Sequence, residues 1–365
     1  MTNELPKIAV QLVTYWSKAG QKDIERCLSS LERLQYPKDR WSLVIVDNPS
    51  PHGSAADYIQ KNWLHKVGKG LPELFFVKNS ENTGFAGGHQ RAYEEAKKWG
   101  ADSIYLLNQD AVMDRGALRN VAQYSSKNPD MAIVQSRTML FDRPELLNSQ
   151  GNCLHFLGQG YADGNRTKPV DAISNRPHFY ASGAAALVNM AAIEKIGGLF
   201  DPRYFMYHED VDLSWRARLA GYDIGYAENS VVYHRYEFSR SIDKFFFMER
   251  NRYITHLAHL KVGTLLLILK PMMWAEFASL LFAARSGWFK KKIAAYRSLF
   301  KPEIRQMIRE RRALSKSIRS VKDRDILKHM VGSIHAQEVS HPIIKYIANP
   351  VLGIYHKVLK VIVFW

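Results

Sequence analysis

The chain has 365 residues, 46% of them hydrophobic, and a formal net charge of +16. This length and apolar content exclude a disordered or fibrous chain and suffice for one large or two ordinary domains. Two distant cysteines, Cys27 and Cys153, exclude a disulfide framework and give no metal-ligand spacing, and MTNELPKIAV lacks the pattern of a secretory signal, so a cytoplasmic chain is expected.

Short β-branched runs then alternate with amphipathic ones. Ile8 to Thr14 reads as a buried strand, followed by a helical pattern through Ile24, Leu28, Leu31 and Leu34. Leu43 to Val46, Leu74 to Val77 and Ser103 to Leu107 read as three more strands, with a helix over Ala86 to Trp99. Apolar runs this short, alternating with helices, predict an α/β fold with a mostly parallel sheet covered on both faces. Ligands of such sheets bind beyond the carboxyl ends of the strands. The residues there are polar: Thr14; Asp47 and Asn48; Asn82 to Gly88; and Asn108, Gln109 and Asp110. Asp and Asn are common at turns and caps, but four strand ends together favour a nucleotide site. Asp47 can accept from the N3–H of a pyrimidine, with Asn48 bonding nearby. Glycines let backbone approach a ligand, and the helix starting near Ala86 offers free N–H groups to oxygens. Asp110 stands where Mg²⁺ or Mn²⁺ would be held against a diphosphate.

Residues 137–176 read as loop, the start of an acceptor-side subdomain, and Ala181 to Val188 as a small-residue strand returning to the sheet. Next comes Phe200 to Arg218, with Glu209, Asp210 and Asp212 opening a helix closed by Gly221. Acids in a first turn suit the helix dipole, yet three carboxylates and His208 within five positions exceed what capping needs. A carboxylate against an apolar wall serves as a general base. Val231 to His234 reads as a strand ending in a further candidate ligand.

The ordered set Val13-Thr14-Tyr15, Val46-Asp47-Asn48, Asn82-Thr83-Gly84-Phe85-Ala86-Gly87-Gly88, Leu107-Asn108-Gln109-Asp110, Ser182-Gly183, Gly197 to Asp201 and Tyr207 to Leu213, with His234, resembles glycosyltransferase family 2 of GT-A fold. Within it, the chain is similar to the rhamnosyltransferase and galactofuranosyltransferase branch of bacterial polysaccharide assembly. The resemblance covers residues 6–255 and implies an inverting transferase. It puts Asp47 on the donor's base, Asp110 and His234 on a divalent metal, and Asp210, beside Glu209, at the catalytic base. The donor side would further comprise Thr14, Tyr15, Asn48, Asn82, Gly84, Phe85, Gly87, Gly88, Asn108 and Gln109, and the acceptor side Ser182, Gly183, His208 and Trp215. Trp16 stands where the family usually has Asn, and Asn108 replaces the first acid of its metal motif. A dTDP-rhamnose donor is the first expectation and a UDP-sugar the second, with a lipid-linked or glycan acceptor.

The charge excess lies wholly in the last third. Residues 240–365 carry 24 Lys and Arg against 8 Asp and Glu, whereas residues 1–239 carry 27 of each. We therefore expect a catalytic domain over 1–239 and a basic helical region over 240–365. Val262 to Ala284 has two charges, Lys270 and Glu276, and a mid-run Pro271, which predicts a broken hydrophobic hairpin in a membrane interface. Lys290 to Lys292, the Arg305 to Lys328 segment and the apolar tail with Lys357 and Lys360 complete an interfacial pattern. The expected place is the inner face of the cell membrane, peripherally on its anionic surface. The alternative is a solvated basic bundle packed on the catalytic domain.

Three rival functions are weaker. A nucleotidyltransferase requires a glycine-rich basic loop where Thr14-Tyr15-Trp16-Ser17-Lys18 stands. A nucleic-acid binder fits poorly with the apolar run and shows no binding motif, so no nucleic-acid partner is expected. A silent polyanion- or membrane-binding scaffold would not need Asp110, Asp210 and His234.

Overall fold

The computed structural model describes residues 5–17, 20–171, 178–235, 245–334 and 342–365. Its first half is built from β1 Ile8–Tyr15, α1 Gly20–Leu31, β2 Trp41–Asn48, α2 Ala56–Asn62, β3 Glu73–Lys78, α3 Gly84–Trp99, β4 Ser103–Asn108, β5 Ala111–Met113 and α4 Ala117–Lys127. There follow β6 Met131–Leu140, β7 Leu147–Ser149, β8 Asn152–Leu154, β9 Gly160–Ala162, β10 Ala185–Asn189, α5 Met190–Lys195, α6 Glu209–Leu219 and β11 Asp223–His234. The last third is helical: α7 Phe245–His259, α8 Val262–Arg285, α9 Phe289–Ser298, α10 Pro302–Ile318, α11 Asp323–His329 and α12 Asn349–Ile362.

The main sheet has the order β3-β2-β1-β4-β10-β6-β11-β5, with β7 on β6. β1 pairs in parallel with β2 and β4, and β2 with β3, so their carboxyl ends share one edge. β10 enters antiparallel between β4 and β6, which brings its amino end to that same edge. β11 runs parallel to β6 and ends there too, at His234. The return strand β5 pairs with β11, matching Ala111 to His234. This turn at Gln109 and Asp110 carries the end of β4 across to the end of β11.

Two sequence expectations are corrected here. Residues 137–140 belong to β6, inside the sheet, and residues 147–162 contain three short strands. The run from Val262 is one continuous helix with Pro271 inside it. Proline removes one helical hydrogen bond, but the helix is tied down on both sides of it. Ahead, Thr264 Oγ1 donates to Asp323 Oδ2 at 2.6 Å; behind, Lys292 Nζ meets Glu276 Oε2 at 2.8 Å.

One apolar layer lies on each face of the sheet. On the first, Leu12, Ile24, Leu28, Leu43 and Ile45 pack with Leu118 and Val121. On the second, Val44, Val46, Ala92, Leu106 and Leu213 pack with Ile254, Ile304 and Met307. A third cluster joins Phe156, Phe179 and Trp215 to Ile268, Leu327 and Leu359. The boundary expected at 239/240 lies outside the described residues; on either side of it the chain shares the second and third of these clusters.

The candidate active site

Each residue at the shared edge has its own restraint. Thr14 Oγ1 donates to Asp47 Oδ1 at 2.6 Å, and Asp47 also accepts from Ser54 Oγ and from Ala55 N at 3.2 Å. Asn48 Oδ1 accepts from Asn79 Nδ2 at 2.7 Å and Thr83 N at 3.2 Å, while its Nδ2 donates to Gly84 O at 2.9 Å. Asp47 and Asn48 are both buried, with their polar atoms engaged. In this geometry they brace the edge and the 79–84 loop. Tyr15, by contrast, is exposed; its N–H donates to Gln109 Oε1 at 2.8 Å and its carbonyl accepts from Gln109 Nε2 at 3.1 Å.

The glycines serve close packing. Gly84 has φ +71°, and a Cβ there would lie 2.3 Å from the carbonyl oxygen of Phe205. Asn82 Oδ1 accepts from Gly84 N, and Phe205 O accepts from Ala86 N at 3.0 Å, so the start of α3 is held against residues 201–207. Gly87 abuts Thr83, Gly88 abuts Val13, and the ring of Phe85 abuts Gly183. Alanine at Gly84 should lower stability by on the order of 2 kcal/mol, from left-handed strain plus the clash. Gly198→Ala is the control, because φ is +85° there but a Cβ would meet open space. Equal losses of Tm in the two variants would refute the contact with Phe205.

The turn after β4 forms the second part. His234 Nε2 lies 3.3 Å from Asp110 Oδ1 and 3.1 Å from Asn108 Nδ2, and its Nδ1 lies 3.0 Å from Asn148 Oδ1. In the tautomer that donates Nδ1–H to Asn148, Nε2 turns its lone pair towards the carboxylate. An imidazole lone pair facing a carboxylate suits a divalent cation. Among the described residues, no group of three or more His, Cys, Asp or Glu forms a complete metal cluster. A cation here would therefore draw its other ligands from substrate phosphates and water, as Mg²⁺ usually does. Asp23, Arg26 and Arg235 border Asp110, and Arg235 Nη1 pairs with Asp23 Oδ1 at 3.2 Å.

The third part is the start of α6. Asp210 Oδ2 accepts from Gly183 N at 3.3 Å and Oδ1 from Val211 N at 2.8 Å. Burial pushes its carboxyl up to about 6, against the opposing pull of those N–H groups. Glu209 is buried, with Oε2 lacking a partner; burial first, then the charge of Asp210, raises it well above the usual range. Of the two, Asp210, held by two N–H donors, is the more readily ionised. Ser182 N donates to Gln135 Oε1 at 2.9 Å, which fixes the 182–183 turn beneath Asp210. His208 precedes Glu209 in the left-handed region, φ +66°, with burial lowering its imidazole to about 3. Trp215 is fully buried, between Phe179 and His256.

Two positioning residues of α7, Asn251 and Arg250, escaped the sequence reading. Phe205, Tyr207 and His208 all have positive φ, which costs of the order of 1–3 kcal/mol each and concentrates at functional segments. Asn251 of α7 holds them: its Nδ2 donates to the carbonyls of Tyr204, Met206 and Tyr207 at 3.0, 2.9 and 2.7 Å. Arg250 Nη2 adds bonds to Arg203 O and Tyr204 O. Asp212 lies beneath, accepting from Tyr204 Oη, Arg216 Nε and His259.

The model of the glycosyltransferase-like family 2 matches residues 6–254. The chain belongs to that family. Among curated proteins, this family member is similar to an N-acetylglucosaminyl-diphospho-decaprenol L-rhamnosyltransferase of Mycobacterium tuberculosis. The two are 26% identical over 260 residues, covering 64% of this chain and 76% of that protein. Among solved structures, it is similar to the mannosyltransferase PcManGT from Pyrobaculum calidifontis in complex with GDP-Man and Mn²⁺. The TM-score there is 0.50 at 15% identity, over 99% of this chain and 88% of the other. S. aureus TarS 1-349 in complex with UDP-GlcNAc gives 0.51 at 14% identity, over 97% and 90%. The family 2 glycosyltransferase therefore has the GT-A fold, and its general activity is sugar transfer.

Proposed function

We propose that this glycosyltransferase moves a sugar from a nucleoside-diphosphate donor, rhamnose from dTDP-rhamnose first and a UDP-sugar next, to a hydroxyl of a lipid-linked acceptor. The observation that carries the reading is Asp210, a carboxylate held by Gly183 N and Val211 N and pushed up to about 6. It stands at the same sheet edge as the Asp110–His234 pair. Asp210 takes the proton of the acceptor hydroxyl as its oxygen bonds to the anomeric carbon, and the nucleoside diphosphate leaves from the opposite face. Asp110 and His234 would hold Mg²⁺ or Mn²⁺, which supplies charge stabilisation for the departing diphosphate. The exposed edge at Tyr15 and Gln109 and the loop from Asn82 to Gly84 would face the donor. The decaprenol-linked substrate in the relative's name supports a lipid-linked acceptor, and the Mn²⁺ bound in the archaeal structure supports the metal.

The last third supports work at a membrane. Val262, Leu266, Leu269, Met273, Phe277 and Leu281 are exposed on α8 at helical spacing, and Val351, Ile354, Val358 and Val361 on α12. Tyr355 Oη donates to Leu267 O at 2.6 Å and Trp365 Nε1 to Thr264 Oγ1 at 2.9 Å, so the two helices pack together. α8 is long and apolar enough to cross a membrane. Yet its Glu276 pairs with Arg252 and Lys292 of neighbouring helices, which favours a helix lying in the interface of the inner membrane face.

The test is thermal unfolding of the full chain with Mn²⁺ and a panel of nucleoside-diphosphate sugars. A donor at about a hundred times its dissociation constant adds about 2.7 kcal/mol. A metal-dependent rise in Tm with one donor is the expected result, and it names the sugar. Stabilisation by no donor would defeat the reading in favour of a polyanion- or membrane-binding scaffold.

A further inference from the structure

We infer that the groove between α7 and α9 binds the isoprenyl-diphosphate portion of the lipid-linked acceptor, an inference that rests on the proposed function and specifies its acceptor side. The groove has a volume of about 600 Å³, within the range of ligand pockets. Phe246, Phe289 and Ile293 form an apolar floor, and Lys290, Arg297 and Lys301 line it with positive charge. Among the described residues Lys290 and Arg297 have no carboxylate partner, and Lys301 has only Glu303 at 4.0 Å. Cations with little or no carboxylate pairing among the described residues, beside exposed aromatic surface, complement a ligand that is anionic at one end and apolar along its length.

Chain neighbours of the lining residues reach two other features. On one side, Trp288 contacts Phe282 of α8, with centroids 5.5 Å apart, and Phe245 of α7, at 5.3 Å. Trp288 and Phe245 directly precede the lining residues Phe289 and Phe246, which places the groove beside the exposed apolar face of α8, from which a chain embedded in lipid would arrive. On the other side, Phe247 stacks on Phe205 at 4.9 Å, and Phe205 O caps the start of α3. Phe205 opens the strained segment that leads into Glu209 and Asp210. An isoprenoid entering from the α8 face would thus lay its diphosphate on the cations of α9, with its sugar directed towards Asp210. Aromatics with cations also suit single-stranded nucleic acid, but proximity to a lipid-facing helix favours the isoprenoid.

Isothermal titration of the full chain with farnesyl diphosphate tests this, with inorganic pyrophosphate, a short oligothymidylate and phosphatidylglycerol vesicles in parallel. Farnesyl diphosphate should bind, with pyrophosphate at least roughly tenfold weaker because the apolar floor is not engaged. The variant Lys290→Ser/Arg297→Ser/Lys301→Ser should lose roughly tenfold or more in farnesyl diphosphate affinity. Ile293→Asp should lose affinity for farnesyl diphosphate but not for pyrophosphate. Donor-dependent stabilisation should be unchanged in both variants, which also shows that they fold. Equal affinity for pyrophosphate and farnesyl diphosphate would overturn the inference, as would tighter binding of the oligonucleotide. So would a triple variant that loses only vesicle binding. If no nucleotide sugar stabilises the wild type while farnesyl diphosphate still binds through these residues, the proposed function fails and the groove assignment stands.

Discussion

Asp210→Asn should lower turnover by roughly 10²- to 10⁴-fold, the range for loss of a general base, while donor binding is retained. Asn keeps the size of the side chain and one acceptor for the N–H groups of Gly183 and Val211, but it cannot take a proton from a hydroxyl. With burial holding the wild-type carboxyl up at about 6, kcat/KM should fall as pH drops below that value, because the protonated acid has no base function. The same shift has a consequence for stability. The folded-state value lies above the unfolded one, about 4, so the stabilising contribution of Asp210 is complete below pH 4 and is lost as pH rises through 6. Asp210→Asn escapes that loss. Its stability relative to wild type should therefore improve between pH 4 and 7, by on the order of 2 kcal/mol. Steady-state rates and thermal unfolding across this range check both. A variant with near wild-type turnover, or a stability difference flat in pH, would remove Asp210 from the role of base.

Glu209 sharpens the assignment. Two adjacent carboxyls at the start of one helix look interchangeable in sequence. Their surroundings differ: Asp210 accepts two backbone N–H bonds, and Glu209 has an oxygen with no partner. The one that is hydrogen-bonded ionises first. Burial and then the charge of Asp210 oppose a second negative charge on Glu209.

The parallel half of the fold was legible because β1 to β4 are apolar runs with polar residues at one end. β6 was not, because its middle reads Gln135-Ser136-Arg137-Thr138. Those polar side chains are satisfied by distant partners: Ser136 Oγ lies 2.7 Å from both Tyr105 Oη and Ser230 Oγ, and Gln135 Oε1 accepts from Asn152 Nδ2. Past the apolar start Met131 to Val134, a strand buried with its own hydrogen-bonding network shows no further hydrophobic run to mark its length. Trp215 sits in the core for a geometric reason. Five residues past Asp210, it lies about 140° further round the helix, and so faces the core between α6 and α7. The clamp by Asn251 leaves no trace in sequence at all, since a single Asn within a helix marks nothing until the chain brings Tyr204 to Tyr207 against it. Asp110 and His234, 124 positions apart, were legible only as members of an ordered set; β5 is what joins them.

Asp212→Ala should destabilise the protein by about 3–5 kcal/mol, as expected when a buried ion pair loses one partner. Burial alone would raise the carboxyl of Asp212, but Arg311 and then Arg216 outweigh it and hold it well below the usual range. Its contribution is therefore present in full above the unfolded value, about 4, and is lost only as pH falls below that. Arg216 is fully buried, and its remaining N–H groups are spent on the carbonyls of Ile196, Gly198 and Leu199. Without Asp212 its charge has no close counterion. Asp212 also accepts from Tyr204 Oη at 2.9 Å and His259 Nε2 at 2.9 Å, with Arg311 Nη1 at 3.7 Å. One carboxylate thus ties α6 to α7, to α10 and to the strained segment ahead of Asp210. Its loss should loosen the segment ahead of Asp210 and the basic helices together, lowering both the denaturation midpoint and turnover. Asp212→Ala/Arg216→Met should recover part of the stability, because the stranded charge goes with its partner. A single variant within 1 kcal/mol of wild type would mean that the apolar clusters alone hold the last third on the catalytic sheet.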